Sequence, residues 1–455
     1  MQRALFIFRR DLRLEDNRGL AAAIKSAKEV ILAFIFTPEQ IENNSFRSNS
    51  CLQFMIETLE ELSEEIKKKG GQLYLFYGQP DEIVQKCIEN CGVSAVFANR
   101  DYTPYSIQRD KKIASICKTH QIDFRAYDDL LLHPLQETVK KGGSPYTVFT
   151  PFFNHATEWV VDPPKISEEG HFYSKPISFS KGREIYAHIL PHAVKQQVGG
   201  RREGLKILSS LTQFSDYALQ RDFPFEDKTT YLSAHLKFTT CSVREIYQAI
   251  SKQLGFDSPL IRSLYWREFF TLIAFYFPYV FTGAFKTKYN ELCWSSNEEH
   301  FKRWCEGTTG FPIVDAGMRE LNATGFMHNR LRMITASFLI KDLHINWQWG
   351  EKYFAQKLID YDPAVNNGNW QWAASTGCDA QPYFRIFNPW NQAVKFDPEA
   401  KYIKKWVPEL ELLPQKMIHQ WHLEKHRNFI IDYPRPIVEH AKESAVALKQ
   451  YANAI

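Results

Sequence analysis

The chain has 455 residues, which at roughly 100–200 residues per domain predicts two to four domains. Hydrophobic residues make up 44% of the chain, charged residues make up 24%, and the formal net charge is +4, which excludes a disordered polyelectrolyte and a collagen-like chain. The aromatic share of 15% is compatible with a site for a large flat ligand, although aromatic residues also dominate plain cores.

No export signal, membrane span or metal site is predicted. The apolar start of the chain runs directly into Arg9 and Arg10, which is unlike a secretory signal. The longest uncharged run, 269–285, is interrupted by Pro278 and is expected to form a buried pair of helices. The 8 cysteines show no paired C-x-x-C spacing, so a zinc ribbon and a disulfide framework are not indicated, and a reducing cytoplasm fits best.

Helical segments separate short apolar runs in the first third of the chain. The runs predicted to be strands are Ala4–Phe8, Val30–Phe36, Leu73–Tyr77, Val93–Ala98 and Phe124–Tyr127. This alternation predicts βαβ units and a doubly wound parallel sheet. The clearest intervening helix is predicted to begin at Ser50, to form a capping box with Gln53, and to end at Gly70-Gly71.

The rest of the chain is predicted to be mainly helical. After residue 130 the strand pattern stops, and a Pro- and Gly-rich stretch with little periodicity predicts a long surface connector. From Gly204 onward the apolar positions mostly follow a 3.6-residue period. The predicted domains are therefore an α/β domain at 1–130, a connector at 131–200 and a helical domain at 201–455.

A dense block of polar and aromatic residues runs from Asp360 to Trp372, and Trp347 precedes it. The usual signatures for phosphate loops, dinucleotide-binding turns, zinc proteases and serine hydrolases are absent from the sequence. Aspartates, carboxamides and a Trp-x-Trp pair fit a pocket that stacks a flat ring and supplies a few hydrogen bonds. The alternative is an aromatic helix junction in which the Asn residues cap turns.

Two arginines in the second half of the chain are expected to have different partners. Arg330 and Arg332 lie two residues apart, so on a helix their side chains point to different sides. One can face a buried carboxylate, for which Asp360 or Asp362 is a candidate, while the other reaches solvent or a phosphate. The simpler alternative is a structural ion pair beside a solvated arginine.

Several motifs, in the same order along nearly the whole chain, resemble those of the DNA photolyase/cryptochrome family. They are Arg10-Asp11-Leu12-Arg13 with Asp16-Asn17, Trp266-Arg267-Glu268-Phe269, Gly310–Arg319, His328–Met333 and Asn366–Trp372. The chain is most similar to bacterial class I cyclobutane pyrimidine dimer photolyases. The resemblance implies a lyase in which photoexcited reduced FAD donates an electron to a flipped-out dimer. It also implies UV-damaged DNA as the partner. The oligomeric state is left open, with a monomer as the default expectation.

The resemblance further implies an FAD site in the helical domain. The matching positions are Tyr217, Thr229, Thr230, Tyr231, Leu232, Ser233, Arg332, Asp360, Tyr361, Asp362 and Asn366. The 229–233 segment would hold the diphosphate, and Arg332 paired with Asp360 would orient polar groups near the isoalloxazine. Asn366 matches the position facing flavin N5, where photolyases have Asn and cryptochromes tend to have Asp or Cys. A second, antenna chromophore is left open between folate, deazaflavin, another flavin and none.

The electron-transfer and lesion residues are also implied by the resemblance. Trp294, Trp347 and Trp370 match the chain that photoreduces the flavin. The positions that match DNA or lesion contacts are Arg221, Ser263, Trp266, Arg267, Asn329, Arg330, Met333 and Trp372. Trp266 and Trp372 match the two aromatics that clamp the dimer.

One position departs from the family pattern. Ser263 stands where typical bacterial dimer photolyases have a glutamate that bonds the lesion. A shorter, neutral side chain predicts weaker stabilisation of the dimer radical anion. This residue keeps two alternatives open, a cryptochrome-type blue-light photoreceptor without repair and a photolyase for another UV lesion.

Overall fold

The computed structural model describes residues 1–42, 44–166, 168–189, 197–423 and 431–454. These residues pack as two compact units. Unit 1 holds the described residues of 1–189, 197–213 and 231–278, and unit 2 holds those of 214–230 and 279–454. The predicted domain boundaries at residues 130 and 200 stay a prediction, because packing units and domains need not coincide.

Unit 1 is built on a parallel sheet, as predicted. The strands of the described chain are β1 (Arg3–Phe8), β2 (Glu29–Phe36), β3 (Leu73–Tyr77), β4 (Ala95–Asn99) and β5 (Asp123–Tyr127). They form one five-stranded sheet in the order β3-β2-β1-β4-β5. The chain order reverses between β1 and β4, so the sheet is doubly wound. In the register of the sheet, Leu5 of β1 lies opposite Ile31 of β2 and Val96 of β4.

Helices make up most of the remaining described chain. They are α1 (Arg18–Ser26), α2 (Pro38–Ile41), α3 (Asn49–Lys68), α4 (Pro80–Cys91), α5 (Pro104–Thr119), α6 (Phe149–Ala156), α7 (Glu184–Ile189), α8 (Arg201–Ser209), α9 (Tyr217–Gln220), α10 (Leu232–Lys237), α11 (Val243–Leu254), α12 (Pro259–Tyr276), α13 (Glu298–Glu306), α14 (Pro312–Thr324), α15 (Asn329–Lys341), α16 (Trp347–Lys357), α17 (Pro363–Ala373), α18 (Pro389–Phe396), α19 (Lys401–Trp406), α20 (Gln415–His419) and α21 (His440–Asn453). The apolar core of unit 2 lies mainly between α14, α15, α16 and α17. The mainly helical C-terminal half is therefore confirmed.

The predicted start of α3 is wrong. Ser48 caps this helix, because its side chain accepts a hydrogen bond from the backbone N–H of Cys51 at 3.1 Å. Ser48 has the extended backbone that a cap requires, whereas Ser50 already lies inside the first turn of the helix. The predicted end at Gly70 is confirmed, since α3 stops at Lys68 and Gly70 has a left-handed φ of 78°.

The predicted pair of buried helices in the uncharged run 269–285 is confirmed only in part, because the second helix is a short 3-10 helix. α12 ends at Tyr276, and Pro278 begins a short 3-10 helix, because proline has no N–H with which to continue an α-helix. Across the described part of the chain, every helix is too short or too polar to span a membrane.

The 131–200 segment is only partly a surface connector. α6 lies within it and buries Phe149, Phe152 and Ala156. The backbone of Val30 in β2 exchanges hydrogen bonds with His171 and Tyr173, both at 2.9 Å. The surrounding prolines and glycines conceal these short apolar patterns in the sequence. Residues 167 and 190–196 of the predicted connector lie outside the described residues.

The motif after β1 folds into a buried ion-pair network of unit 1. Arg13 donates to Asp129 at 2.6 Å, and Arg244 of α11 donates to Asp129 at 2.7 Å and to Asp16 at 2.8 Å. These four residues are at most 4% exposed. Buried charges persist only when paired, so the network explains the charged residues directly after a core strand.

Candidate functional site

α15 directs its two arginines to different carboxylates. Arg332 makes two hydrogen bonds to Asp360, at 3.2 and 2.9 Å, in the bidentate geometry that guanidinium and carboxylate favour. Arg330 instead donates to Asp222 at 2.7 Å. The prediction that the arginines point to different sides, with Asp360 pairing one of them, is confirmed. The expectation that the other arginine reaches solvent or a phosphate is wrong, because Arg330 is paired with Asp222.

Asp362 has a different role from Asp360. Its Oδ1 accepts hydrogen bonds from the backbone N–H groups of Ala364 and Val365, at 3.1 and 3.3 Å, so it caps α17. Tyr361 lies between the two aspartates in sequence and packs against the core of unit 2. The 360–362 run therefore supplies one ion-pair partner and one helix cap.

Carboxamides of α17 bind buried groups of unit 2. Asn366 donates its Nδ2 to the carbonyl oxygen of Glu351 at 3.0 Å, and Asn367 donates to the Glu351 carboxylate at 2.9 Å. Gln371 donates to the carbonyl oxygen of Val280 at 3.0 Å. Both asparagines lie inside the helix, so the alternative in which they only cap turns is wrong. The side-chain carbonyl oxygen of Asn366 is the only acceptor of its amide group, so it is the atom that can accept a hydrogen bond from a ligand N–H.

Glu351 is a buried acid that the sequence analysis missed. Burial raises the pKa of its carboxyl group to about 7, while the hydrogen bond from Asn367 acts in the opposite direction. It lies in α16, four residues after Trp347. The sequence signal that could have identified Glu351 is a single glutamate among the aromatic residues of a predicted helix.

Trp370 fits tightly against α16 and a second tryptophan. Its side chain is 2% exposed. The ring centroid of Trp370 lies 4.9 Å from that of Phe354 and 6.2 Å from that of Trp304. A Cβ added at Gly350 would lie 2.1 Å from Cη2 of Trp370, so only glycine lets the indole approach α16 this closely. Trp304, which is fully buried, was missed because its partner lies far away in the sequence.

The structure brings the predicted tryptophans of the electron-transfer chain into one core. Trp347 begins α16 and belongs to the buried core that contains Trp370, while the partly exposed Trp294 packs against it. The backbone N–H of Ser295 donates to the carbonyl oxygen of His344 at 2.7 Å, which holds Trp294 near the start of α16. Of the three predicted tryptophans, Trp347 and Trp370 are therefore buried and Trp294 is partly exposed.

Unit 2 also carries several predicted lesion residues at accessible positions. Asn329 and Met333 lie one turn apart on α15, with Nδ2 and Sδ 3.9 Å apart. Trp372 on α17 is partly exposed and packs against the core of unit 2. The guanidinium carbon of Arg221 lies 5.7 Å from the ring centre of Tyr217.

In unit 1, α12 carries the remaining predicted lesion residues. Trp266 is partly exposed and stacks on Phe149, with ring centroids 3.7 Å apart and planes 4° apart. Arg267 donates to the carbonyl oxygen of Leu130 at 2.8 Å, so part of its guanidinium is used inside the unit. Ser263 is exposed, and its hydroxyl donates to the carbonyl oxygen of Pro259 at 3.0 Å.

The predicted diphosphate segment is divided between the two units. Thr229 and Thr230 belong to unit 2, whereas Tyr231, Leu232 and Ser233 belong to unit 1 at the start of α10. Tyr231 has a φ of 55°, a left-handed conformation that residues with side chains rarely adopt and that clusters at functional sites.

The donor and acceptor groups of unit 2 fit FAD. The Asn366 carbonyl oxygen can accept from a ring N–H, and the hydroxyls of Tyr217, Thr229 and Thr230 can donate to anionic or carbonyl oxygens. The Arg332 guanidinium is neutralised by Asp360, so the pair suits an uncharged ring system. Within the described ranges, the acidic, His and Cys side chains form no cluster that could hold a metal ion.

We expect His328 to make the protein less stable in acid. Burial lowers the pKa of its imidazole to about 4, and the neutral ring caps α15 by accepting from Arg330 N–H at 3.2 Å. As the pH falls, the imidazole of His328 takes up a proton in the unfolded chain at a higher pH than in the folded chain. The folded state therefore loses stability below about pH 6.5, by about 2 kcal/mol at pH 5. The buried His133 and His235, whose pKa values are likewise lowered to about 4, add to the loss.

The matched variant is His328→Asn, which keeps a capping side chain but does not titrate. Urea unfolding at pH 7 and pH 5 should show a smaller loss of stability in this variant than in the wild type. An equal loss in both proteins would contradict the assignment.

The chain is similar to known proteins along its whole length. The family described as DNA photolyase matches residues 4–167, and the FAD binding domain of DNA photolyase matches residues 260–453. A deoxyribodipyrimidine photo-lyase of Salmonella typhimurium is 38% identical over 98% of this chain and 97% of its own length. An archaeal photolyase from Sulfolobus tokodaii, solved with two FAD molecules, is 43% identical with a TM-score of 0.91, covering 99% of this chain and 100% of its own. A Synechocystis cryptochrome is 27% identical with a TM-score of 0.89, covering 99% of both chains.

Proposed function

Because the chain belongs to the DNA photolyase/cryptochrome family, we propose that it repairs UV-damaged DNA by splitting cyclobutane pyrimidine dimers in light. The observation that carries this proposal is 38% identity, over nearly the full length of both chains, to an enzyme named deoxyribodipyrimidine photo-lyase. When bound and reduced, FAD supplies the light-driven electron that opens the cyclobutane ring. The residues of this chain bind, orient and shield the reacting groups.

Unit 2 provides polar groups for the cofactor. Arg332 is held by Asp360 and by the carbonyl oxygen of Met327, which engage three of its five N–H groups and leave two for a ligand. Asn366 would accept a hydrogen bond from the N–H of a reduced flavin without adding charge. Further proposed FAD contacts are Tyr217, Thr229, Thr230, Tyr231, Leu232, Ser233, Tyr361 and Asp362.

The tryptophans are proposed to carry oxidising equivalents outward. Trp370 is buried and Trp294 is partly exposed. An oxidised centre at Trp370 would move through Trp347 to Trp294, where an external thiol can reduce it. This exchange would supply the reduced cofactor that repair requires; repair itself does not consume it, because the electron donated to the dimer returns to the flavin once the ring has opened.

The dimer must leave the duplex before the electron can reach it. Trp266 and Trp372 are proposed to stack against the flipped-out bases, and such stacking contributes about 1–3 kcal/mol per base. Asn329 and Met333 would contact the lesion edge. Arg221, Arg267 and Arg330 are the proposed backbone or pocket-wall contacts, which add affinity without sequence preference.

A flavin is the favoured second chromophore. The Sulfolobus tokodaii photolyase, 43% identical, contains two FAD molecules, which implies a novel light-harvesting cofactor in that protein. We infer an antenna of the same class here rather than a folate or deazaflavin. A monomer in the cytoplasm is also part of the proposal, since the 8 cysteines show no paired C-x-x-C spacing in the sequence, which suits a reducing compartment.

A cryptochrome-type photoreceptor without repair is the second candidate, favoured by one observation at Ser263. Its hydroxyl donates to Pro259 and therefore does not replace the glutamate that bonds the lesion in typical bacterial enzymes. A photolyase for another UV lesion is compatible with the same observation.

Binding in the dark distinguishes the candidates. The FAD-loaded protein is titrated with a duplex that contains one thymine dimer and with the same duplex undamaged. Repair function predicts at least about tenfold tighter binding to the damaged duplex, as two stacked bases would give. Trp372→Ala should reduce this preference. Equal affinity for both duplexes would contradict the proposal and favour the photoreceptor or a photolyase for another UV lesion.

We expect Ser263→Glu to raise the repair yield per absorbed photon. The longer carboxyl side chain can reach the lesion from its exposed position on α12, and a hydrogen bond to a charged group adds about 1.5–3 kcal/mol. Repair is measured by single-flash conversion of a dimer-containing oligonucleotide. Ser263→Gln, of the same length but neutral, is the control. No gain with the glutamate would show that other groups already stabilise the lesion.

A further inference from the structure

A stack of three side chains in unit 1 ends at Trp266. The ring of Phe149 lies parallel to the indole, with centroids 3.7 Å and planes 4° apart. Arg262 lies one helical turn before Trp266 on α12, and its guanidinium carbon is 4.9 Å from the centre of the same phenyl ring. Side chains one turn apart are about 5–6 Å apart at Cβ, and the ring of Phe149 from α6 contacts both of them.

The geometry of the stack is unusual for two aromatic rings. Face-to-face rings repel through their quadrupoles and generally prefer offset or edge contacts. Here the guanidinium of Arg262 offsets this repulsion, because a guanidinium is attracted to an aromatic face. The same guanidinium lies 4.8 Å from the ring centre of Phe153, so two rings of α6 hold it in place.

Other rings fix the remaining sides of the indole. Phe269 meets Trp266 edge-on, with centroids 5.7 Å apart, and Phe270 meets it at 5.4 Å. Phe149 itself is only 1% exposed, whereas Trp266 is partly exposed. The accessible part of Trp266 is therefore the part that these three phenylalanines leave uncovered.

We propose that Phe149 is a positioning residue for lesion recognition, which fixes the plane of Trp266 before DNA binds. The inference rests on the proposed function, since it requires that Trp266 stacks on the lesion. A side chain that is already ordered loses little rotamer freedom on binding, and freezing a mobile one weakens affinity roughly two- to tenfold. Undamaged DNA has no flipped bases to stack on Trp266, so Phe149 affects the binding of damaged DNA alone.

The test measures the ratio of dissociation constants for undamaged and dimer-containing duplexes. Phe149→Met conserves apolar volume but removes the ring plane, and the ratio should fall roughly two- to tenfold while affinity for undamaged DNA stays unchanged. Phe149→Tyr keeps the plane and should keep the ratio. The matched control is Phe152→Met on the same helix. Phe152 is 0% exposed and contacts Phe269, with centroids 5.4 Å apart, but has no ring contact with Trp266 among the described residues.

The outcomes separate positioning from general packing. If Phe149→Met and Phe152→Met lower the thermal midpoint alike and neither changes the ratio, the positioning role is wrong. If the wild type shows no preference for the dimer, the proposed function fails instead. Should Phe149→Met not fold, Arg262→Gln removes the cation from an exposed position and should lower the same ratio. An unchanged ratio of dissociation constants in Arg262→Gln would also overturn the proposal.

Discussion

Trp370→Phe is expected to slow photoreduction of bound FAD by about tenfold or more, which corresponds to at least about 1.4 kcal/mol of added barrier. Phenylalanine occupies most of the buried space against Phe354 and α16, but its ring is much harder to oxidise than an indole. The measurement is the loss of oxidised-flavin absorbance under blue light with excess thiol. The same variant, reduced chemically beforehand, should still repair dimers at close to the wild-type rate.

Trp304→Phe is the matched control for this prediction. Trp304 is fully buried, and its ring lies 6.2 Å from Trp370, but it is outside the proposed electron-transfer chain. Photoreduction should stay close to wild type in this variant. Equal slowing in both variants would contradict the assigned path, as would loss of repair by the chemically reduced Trp370→Phe protein.

Gly350→Ala is expected to give the second large effect. The added methyl group would lie 2.1 Å from Cη2 of Trp370 and 2.6 Å from Cδ2 of Leu339, so the indole or α16 must move. Alanine gains about 1 kcal/mol of helix propensity over glycine, but overpacking a tight core costs about 1–3 kcal/mol or more. Because three heavy atoms lie within 2.6 Å of the added methyl group, we expect the upper part of that cost, and therefore a net loss of stability of about 1–2 kcal/mol together with slower photoreduction.

Urea unfolding and the photoreduction rate test the Gly350 prediction together. Gly142→Ala is the control, since a methyl group there meets no atom within 4 Å. It should change neither quantity. Wild-type stability in Gly350→Ala would show that Trp370 can move aside at little cost, and the tight fit would then not position the ring.

The sheet was predictable because β1 to β4 are mostly buried and read as nearly continuous apolar runs, while the half-exposed edge strand β5 keeps the β-rich residues Phe124 and Tyr127. Each predicted strand matches the observed one to within two residues at either end. The start of α3 was wrong because Ser48 and Ser50 are equally suitable capping residues in sequence, and only the backbone conformation distinguishes them. α6 was missed because its few buried positions lie among prolines and glycines.

Within the site, the directions of neighbouring side chains on one helix were predictable from their spacing. Most contacts between residues far apart in the sequence were not. The two-residue spacing of Arg330 and Arg332 indicated different partners, and Asp360 was a candidate for one of them. Asp222, the partner of Arg330, lies 108 residues away and had no sequence signal. The same reason applies to Trp304 beside Trp370 and to Phe149 beneath Trp266, since ring contacts across distant segments depend on the fold.

Light-dependent repair tests the central claim most directly. The FAD-loaded protein, reduced beforehand, is mixed with an oligonucleotide that contains one thymine dimer and is exposed to blue light, with an identical sample kept in the dark. The proposed function predicts recovery of the absorbance of intact thymine in the illuminated sample alone. A flavin that responds to light while the dimer remains uncleaved would contradict dimer repair and favour a photoreceptor or another lesion.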